Sequence, residues 1–200
     1  PVVAENKVGS GGQIATDLAA KAPPDGTVVL ITTSAHFTYP HLHAKLPFDP
    51  VNDLVPVAQF IQGAFAVVVA TNSPFKTMQD LLAEGKRNPG SLSYGSAGVG
   101  SPTHMAGPQL GHIEGVNIVH VPYKDASQVI TDVIGGQLPM GMTGTSTAMS
   151  LIQAGKLRAL AVTAASRVPA LANIPTVDES GVRGYEVTSP ILAVTRAGTP

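Results

Sequence analysis

Cysteine is absent from the 200 residues, and so is tryptophan. The first absence excludes disulfides, thiolate nucleophiles, CxxC redox chemistry and cysteine-ligated zinc. The second leaves only Tyr and Phe to stack on an aromatic ligand. Charge is scarce as well: 12 basic and 13 acidic residues make 12% of the chain, about half the usual share of ~25%. Such a balance provides neither a basic stripe for nucleic acid nor a polybasic patch for a membrane surface, so nucleic acid is not expected as a partner. Apolar runs such as residues 65–70 and 191–194 fall far short of the ~20 residues that cross a bilayer. No charged-then-apolar leader stands at Pro1, so the chain reads as a processed protein or an excised piece.

What is present is glycine and proline, 21 and 17 of them, interleaved with a 44% apolar complement and not gathered into low-complexity tracts. That pattern means many loops and no disorder. Short β-branched or apolar runs recur at residues 2–4, 28–32, 55–60, 65–70, 92–94, 118–121, 138–142, 157–163 and 191–194. Between them lie stretches with apolar residues three and four apart: Ile14, Leu18 and Ala19; a segment over 35–44; Met78, Leu81 and Leu82 behind a Thr77 cap; 104–111; 126–134; and 146–154, closed by Gly155. Strands alternating with helices at this spacing build βαβ units and a parallel sheet, so the chain is α/β. The long extended segments 65–70 and 157–163 bracket the central units and suit a hinge. The expected organisation is therefore two lobes: residues 1–70 with 165–200 as a discontinuous first lobe, and 71–164 as the second, with a cleft at their junction.

The run Gly95-Ser96-Ala97-Gly98-Val99-Gly100-Ser101 stands between a strand and a helix, where backbone N–H groups and the positive helix end converge on an anion. It is not a nucleotide P-loop, because Ser101 occupies the lysine position, and Gly98-Val99-Gly100 lacks the third glycine of a dinucleotide fingerprint. No cofactor is expected. A carboxylate suits hydroxyls and amides better than a phosphate does without a fixed cation; the bland reading is a tight turn with close helix packing. Neither Ser96 nor Ser101 sits in a Gly-x-Ser-x-Gly elbow. His36, His41 and His43 include a His-x-His pair, but no Asp or Glu lies nearby before Asp49, so they read as packed or surface histidines and no metal is expected. Hydroxyls gather at strand ends: Thr32-Thr33-Ser34, Ser101 with Thr103, and Thr143 to Thr147. Singly each can cap a helix; jointly they suit a small anion held by neutral donors.

Several strings together resemble one family: Pro1-Val2-Val3-Ala4-Glu5-Asn6, Ala22-Pro23-Pro24-Asp25-Gly26, Leu46-Pro47-Phe48-Asp49-Pro50, Ser96-Ala97-Gly98-Val99-Gly100-Ser101, His120-Val121-Pro122-Tyr123-Lys124 and Ile174-Pro175-Thr176-Val177. They are similar, in order and over nearly the whole chain, to the Bug family of extracytoplasmic solute receptors that serve tripartite tricarboxylate transporters. The resemblance implies a two-lobe, type II periplasmic-binding-protein-like fold, truncated at both ends relative to the family, whose members begin with a further strand and glycine-rich loop and end in a helical tail. It implies a periplasmic, monomeric receptor, not an enzyme, that delivers a di-, tricarboxylate or aromatic acid to membrane transporter subunits. Carried over by loop, it implies ligand contacts at Ser34 and Ala35, at Gly100, Ser101 and His104, at Tyr123, and at Thr143, Gly144 and Thr145. At the last position the family often has an aspartate, and its absence here implies plain carboxylates over amino acids. The alternative from another class is a hydrolase or isomerase using Ser101 or Ser96 with His104, which lacks an acid to orient the imidazole.

Overall fold

The computed structural model describes all 200 residues, as seven strands and six α-helices in two compact units. One unit comprises Pro1–Gln62, Gly98–Pro102 and Ser189–Pro200; the other comprises Gly63–Ala97 and Thr103–Thr188. Three segments therefore fall otherwise than the sequence pattern divides them, and residues 63–70 are one, belonging with the second unit. Residues 165–188 belong with the second unit because Val177, Val182, Tyr185 and Val187 are buried in its core and the Thr163 hydroxyl donates to the Val187 carbonyl at 2.6 Å. Gly98–Pro102 belongs with the first.

In the first unit, α1 (Gln13–Ala20) and α2 (Ala35–Leu42) accompany β1 (Val29–Thr32), β7 (Thr188–Arg196) and the first part of β2 (Leu54–Ala70). β1 and β7 are antiparallel, with Leu30 opposite Val194 and Thr32 opposite Leu192. A small core of Ala19, Ala20, Ala35, Tyr39, Phe48, Leu54, Leu192 and Val194 lies on one face of this sheet. Expectations fail here at two points. Residues 2–4 form no strand: Val2 and Val3 are exposed, and an extended run without a neighbouring backbone to take its N–H and C=O groups has nothing to hold it as one. On α1 the packed face is Thr16, Ala19 and Ala20, so Ile14 and Leu18, on the opposite side of the helix, face outward.

The second unit has the strand order β4-β3-β5-β2-β6, with β3 (Leu92–Ser96), β4 (Ile118–Pro122), β5 (Met140–Gly144) and β6 (Leu157–Val162). β3 pairs in parallel with β4 and with β5, as βαβ reasoning requires, while β2 runs antiparallel between β5 and β6. Residues 66–68 of β2 have partners on both sides, so β7 pairs with the earlier half, and Gln62-Gly63 does not break the strand. The interruption read at Gln62-Gly63 is thus a single 17-residue strand.

Local chemistry sets the helix ends. Thr77 and Asp80 form a reciprocal capping box at the start of α3 (Met78–Arg87), whose Met78, Leu81, Leu82 and Gly85 are buried and whose last turn carries Lys86 and Arg87. Asp125 caps α5 (Ala126–Ile134) by accepting from the Ser127 and Gln128 amides at 2.8 and 3.1 Å. α6 (Thr145–Gln153) follows β5 directly. Val67, Val69, Met140 and Met142 enter one core cluster and Ala66 and Val68 the other, which is the period-2 signature of a sheet covered on both faces.

α4 (Pro102–Glu114) is placed by one contact. Pro108 has no N–H to give the carbonyl of residue 104, four positions back, and the wholly buried Tyr94 hydroxyl donates to that carbonyl at 2.6 Å. The Tyr94 ring fits only because position 107 lacks a side chain: a Cβ there would lie 2.2 Å from its Cζ. Gly107→Ala is therefore expected to destabilise the protein by about 2 kcal/mol, the overpacking penalty outweighing the ~1 kcal/mol that alanine gains in a helix. Thermal unfolding would show it as a fall of about 4–8 °C; an unchanged or raised midpoint would disprove this account of the contact.

Candidate functional site

The first unit joins three loops through neutral groups. Ser34 ends the turn before α2, and its amide and hydroxyl lie 3.3 and 3.1 Å from the Ser189 hydroxyl. The Ala35 amide reaches the Thr33 hydroxyl at 3.4 Å. Thr38 Oγ1 stands 2.9 Å from both the Ala35 and the Gly100 carbonyls, and the Tyr39 hydroxyl donates to Gly11 at 2.9 Å. Gly11 has φ +64, and a Cβ there would be 2.6 Å from the Val99 carbonyl, so this position demands glycine twice over. The Ser101 hydroxyl donates to the Gly98 carbonyl at 2.7 Å, closing the glycine-rich loop on itself.

Within that run, Gly95 has a different purpose. It lies inside β3, where a Cβ would come within 2.9 Å of Val129 and Leu138, so it admits α5 to the sheet and cradles no anion. Here the packing interpretation of a glycine is correct. Ser189 was not singled out in the sequence; its signal, a Thr188-Ser189-Pro190 stop before an apolar run, is too common to have found it.

In the second unit the parallel register sets Tyr94 opposite His120. Ser96 Oγ and His120 Nε2 are 2.6 Å apart, and the His104 and His120 rings stack at 4.3 Å between centroids, with Tyr94 5.2 Å from His120. Burial pushes the His104 imidazole below its ordinary range. Burial and then the neighbouring His104 push His120 down to about 4. The Tyr123 amide donates to Ser96 at 3.0 Å, and its hydroxyl donates to Asp132 Oδ2 at 2.5 Å, a bond that raises the phenol's pKa. Thr143 is 2% exposed on β5, Gly144 is the N-cap of α6 and Thr145 its first residue.

These positions divide by unit. Ser34, Ala35, Gly100 and Ser101 belong to the first, and Tyr123 and Thr143 to Thr145, with His104, to the second. Ser96 meets the His120 imidazole, a pairing that the sequence did not propose. That pair is poorly suited to nucleophilic catalysis: Ser96 is wholly buried, His120 is too weak a base at neutral pH, and no carboxylate bonds its ring. Of the clustered histidines, His43 Nε2 lies 2.6 Å from the Gln13 amide nitrogen, and His36 is buried with Nδ1 unpartnered. No three His, Asp or Glu side chains are grouped to hold a metal ion.

Comparison with known proteins bears on this arrangement. The family model described as "Tripartite tricarboxylate transporter family receptor" matches residues 1–200. A UPF0065 protein in the tcbD-tcbE intergenic region of Pseudomonas sp. (strain P51) is 35% identical over 200 residues, covering 100% of this chain and 60% of its own. Protein BugT of Bordetella pertussis is 32% identical over 198 residues, covering 97% and 60%. The chain thus spans about 60% of the length of these curated relatives. Among solved structures, a periplasmic transporter has a TM-score of 0.93 at 37% identity, covering 100% of this chain and 67% of that one. R. palustris Rpa4515 with adipate has 0.93 at 32%, covering 99% and 67%. The periplasmic binding protein BugD has 0.90 at 32%, covering 98% and 66%.

The buried imidazoles have a thermodynamic consequence. His36, His104 and His120 all titrate lower in the folded protein than at the ordinary 6.5, so on acidification the unfolded chain takes up their protons first. Stability is therefore intact above about pH 6.5 and falls as the pH drops toward 4, where His120 at last protonates in the folded state. Urea unfolding from pH 7.5 to 4 should show this loss, and His120→Gln should make it shallower; a slope that His120→Gln leaves unchanged would remove His120 from the cause.

Proposed function

Because the chain belongs to the tripartite tricarboxylate transporter receptor family, we propose that it acts in the periplasm as a solute receptor, capturing a small carboxylic acid and delivering it to membrane transporter subunits. It performs no chemistry on the ligand and works as a monomer. The ligand class is a di- or tricarboxylate or an aromatic acid. The reading takes support from the 32% identical relative whose structure holds adipate.

The observation that carries it is the charge state of the donors. Ser34, Ala35, Gly100, Ser101, Thr143, Gly144 and Thr145 offer hydroxyls and amides; His104 and Tyr123 are both neutral at pH 7, the one depressed and the other raised. Neutral donors hold a carboxylate with less desolvation cost than a buried cation would incur. Ser34 and Ala35, with Gly100 and Ser101, are the contacts assigned to the first unit. His104, Tyr123 and the start of α6 are those of the second. Thr143-Gly144-Thr145 has no acid to answer a ligand's amine, which favours plain carboxylates over amino acids.

A thermal-shift panel of mono-, di-, tricarboxylic and aromatic acids, amino acids, sugars and nucleotides on the complete protein tests this. An acid at 100 times its dissociation constant should stabilise by about 2.7 kcal/mol, which is several degrees. Ser34→Ala should weaken that acid about tenfold, the worth of one hydrogen bond to a charged group. A response to sugars or nucleotides with none to acids would overturn the reading, and so would turnover of a carboxylate ester that Ser101→Ala abolishes.

A further inference from the structure

A separate groove of about 500 Å³ lies in the second unit between α5 and α6. Its lining is ordered by the helices that make it. Thr143, near the end of β5, and Thr147, in the first turn of α6, put hydroxyls at one end. Ile130, Ile134 and Leu151 line the middle, and Lys156, beyond the end of α6, stands at the other end. From Ser127 to Ile134 the helical rise gives the groove a length of about 10 Å.

Two groups stand at the ends of the groove. Met142 packs into the core on one face of the sheet, so strand alternation turns its neighbour Thr143 to the opposite face, toward the groove. Thr143 is 2% exposed and lines the groove. Lys156 belongs to none of the protein's ion pairs. The groove thus presents hydroxyls, an apolar floor and an unpaired cation, in that order.

We propose that this groove is a second small-molecule site, sharing Thr143 with the carboxylate contacts proposed above, for an unbranched aliphatic acid with a polar group at its far end. The carboxylate pairs with the Lys156 ammonium, and the methylene chain covers Ile134, Ile130 and Leu151. The far polar group, a second carboxylate or a hydroxyl, accepts from Thr143 and Thr147. A simple fatty acid fits less well, because its methyl end would cover the Thr143 hydroxyl without bonding it.

The test is a titration of the complete, isotope-labelled protein with octanedioate and with octanoate, following the amide resonances of Thr147, Leu151 and Lys156, and that of Ser34 as reporter of the other site. Octanedioate should move the groove resonances saturably and more tightly than octanoate. Lys156→Gln, a change at an exposed side chain, should weaken the groove response tenfold or more while leaving the Ser34 response as it was. Thr143→Val, nearly equal in shape, should erase the preference for octanedioate. The groove site is overturned if neither acid moves those resonances, if Lys156→Gln leaves their response unchanged, or if octanoate binds as well as octanedioate. A response at Ser34 alone would sink the groove and leave the first site standing; a response in the groove alone would do the reverse.

Discussion

The bond from the Tyr94 hydroxyl to the His104 carbonyl governs much of the second unit. It exists because Pro108 cannot supply the amide that this carbonyl would otherwise accept from, and a buried carbonyl without a donor is costly. Tyr94 reaches it from β3 by lying across Gly107. Strand and helix are thereby fixed in rotation as well as in distance, and the His104 side chain is brought onto the His120 ring. Two residues along, the Tyr185 hydroxyl donates to the Ala106 carbonyl at 3.1 Å, so the segment 165–188 is held against the same helix. Proline inside a helix is ordinarily a defect; here it opens the carbonyl through which sheet and helix are joined.

The same geometry explains the character of the histidine pair. His104 comes from a helix and His120 from the strand beside Tyr94, and burial keeps each neutral at pH 7. Ser96 bonds the one ring nitrogen, and the surrounding aromatic faces desolvate the rest. A charged imidazole in this place would face a second imidazole at stacking distance, which is why proximity lowers the pKa beyond what burial does.

Much of the fold was legible because its signals are local. The alternation of short apolar runs with three- and four-spaced stretches gave the α/β class, and Thr77 marked its helix start by the hydroxyl that a first turn needs. What was not legible depends on pairing. That Leu54–Ala70 is one strand follows from partners at both its ends, and that it runs antiparallel between β5 and β6 follows from topology. The tight meeting of Ser96 with His120 needs a parallel register between strands 24 residues apart, which no spacing rule announces. Gly95 misled for a related reason: a glycine that lets a helix approach and a glycine that lets an anion approach look identical until the helix is seen.

The scarcity of charge noted at the outset acquires a meaning on the proposed function. A receptor that hands its ligand on must bind it firmly without holding it irretrievably. A buried cation facing a carboxylate gives strong attraction, but its own desolvation is a large standing cost whenever the site is empty. Hydroxyls such as Ser34 and Ser189 avoid that cost, because in the empty state they satisfy one another at 3.1 Å and need only exchange that bond for one to the ligand. Affinity then comes from the number of such exchanges, and no single contact dominates. Loss of any one contact should weaken binding in proportion, and release requires no buried charge to be abandoned.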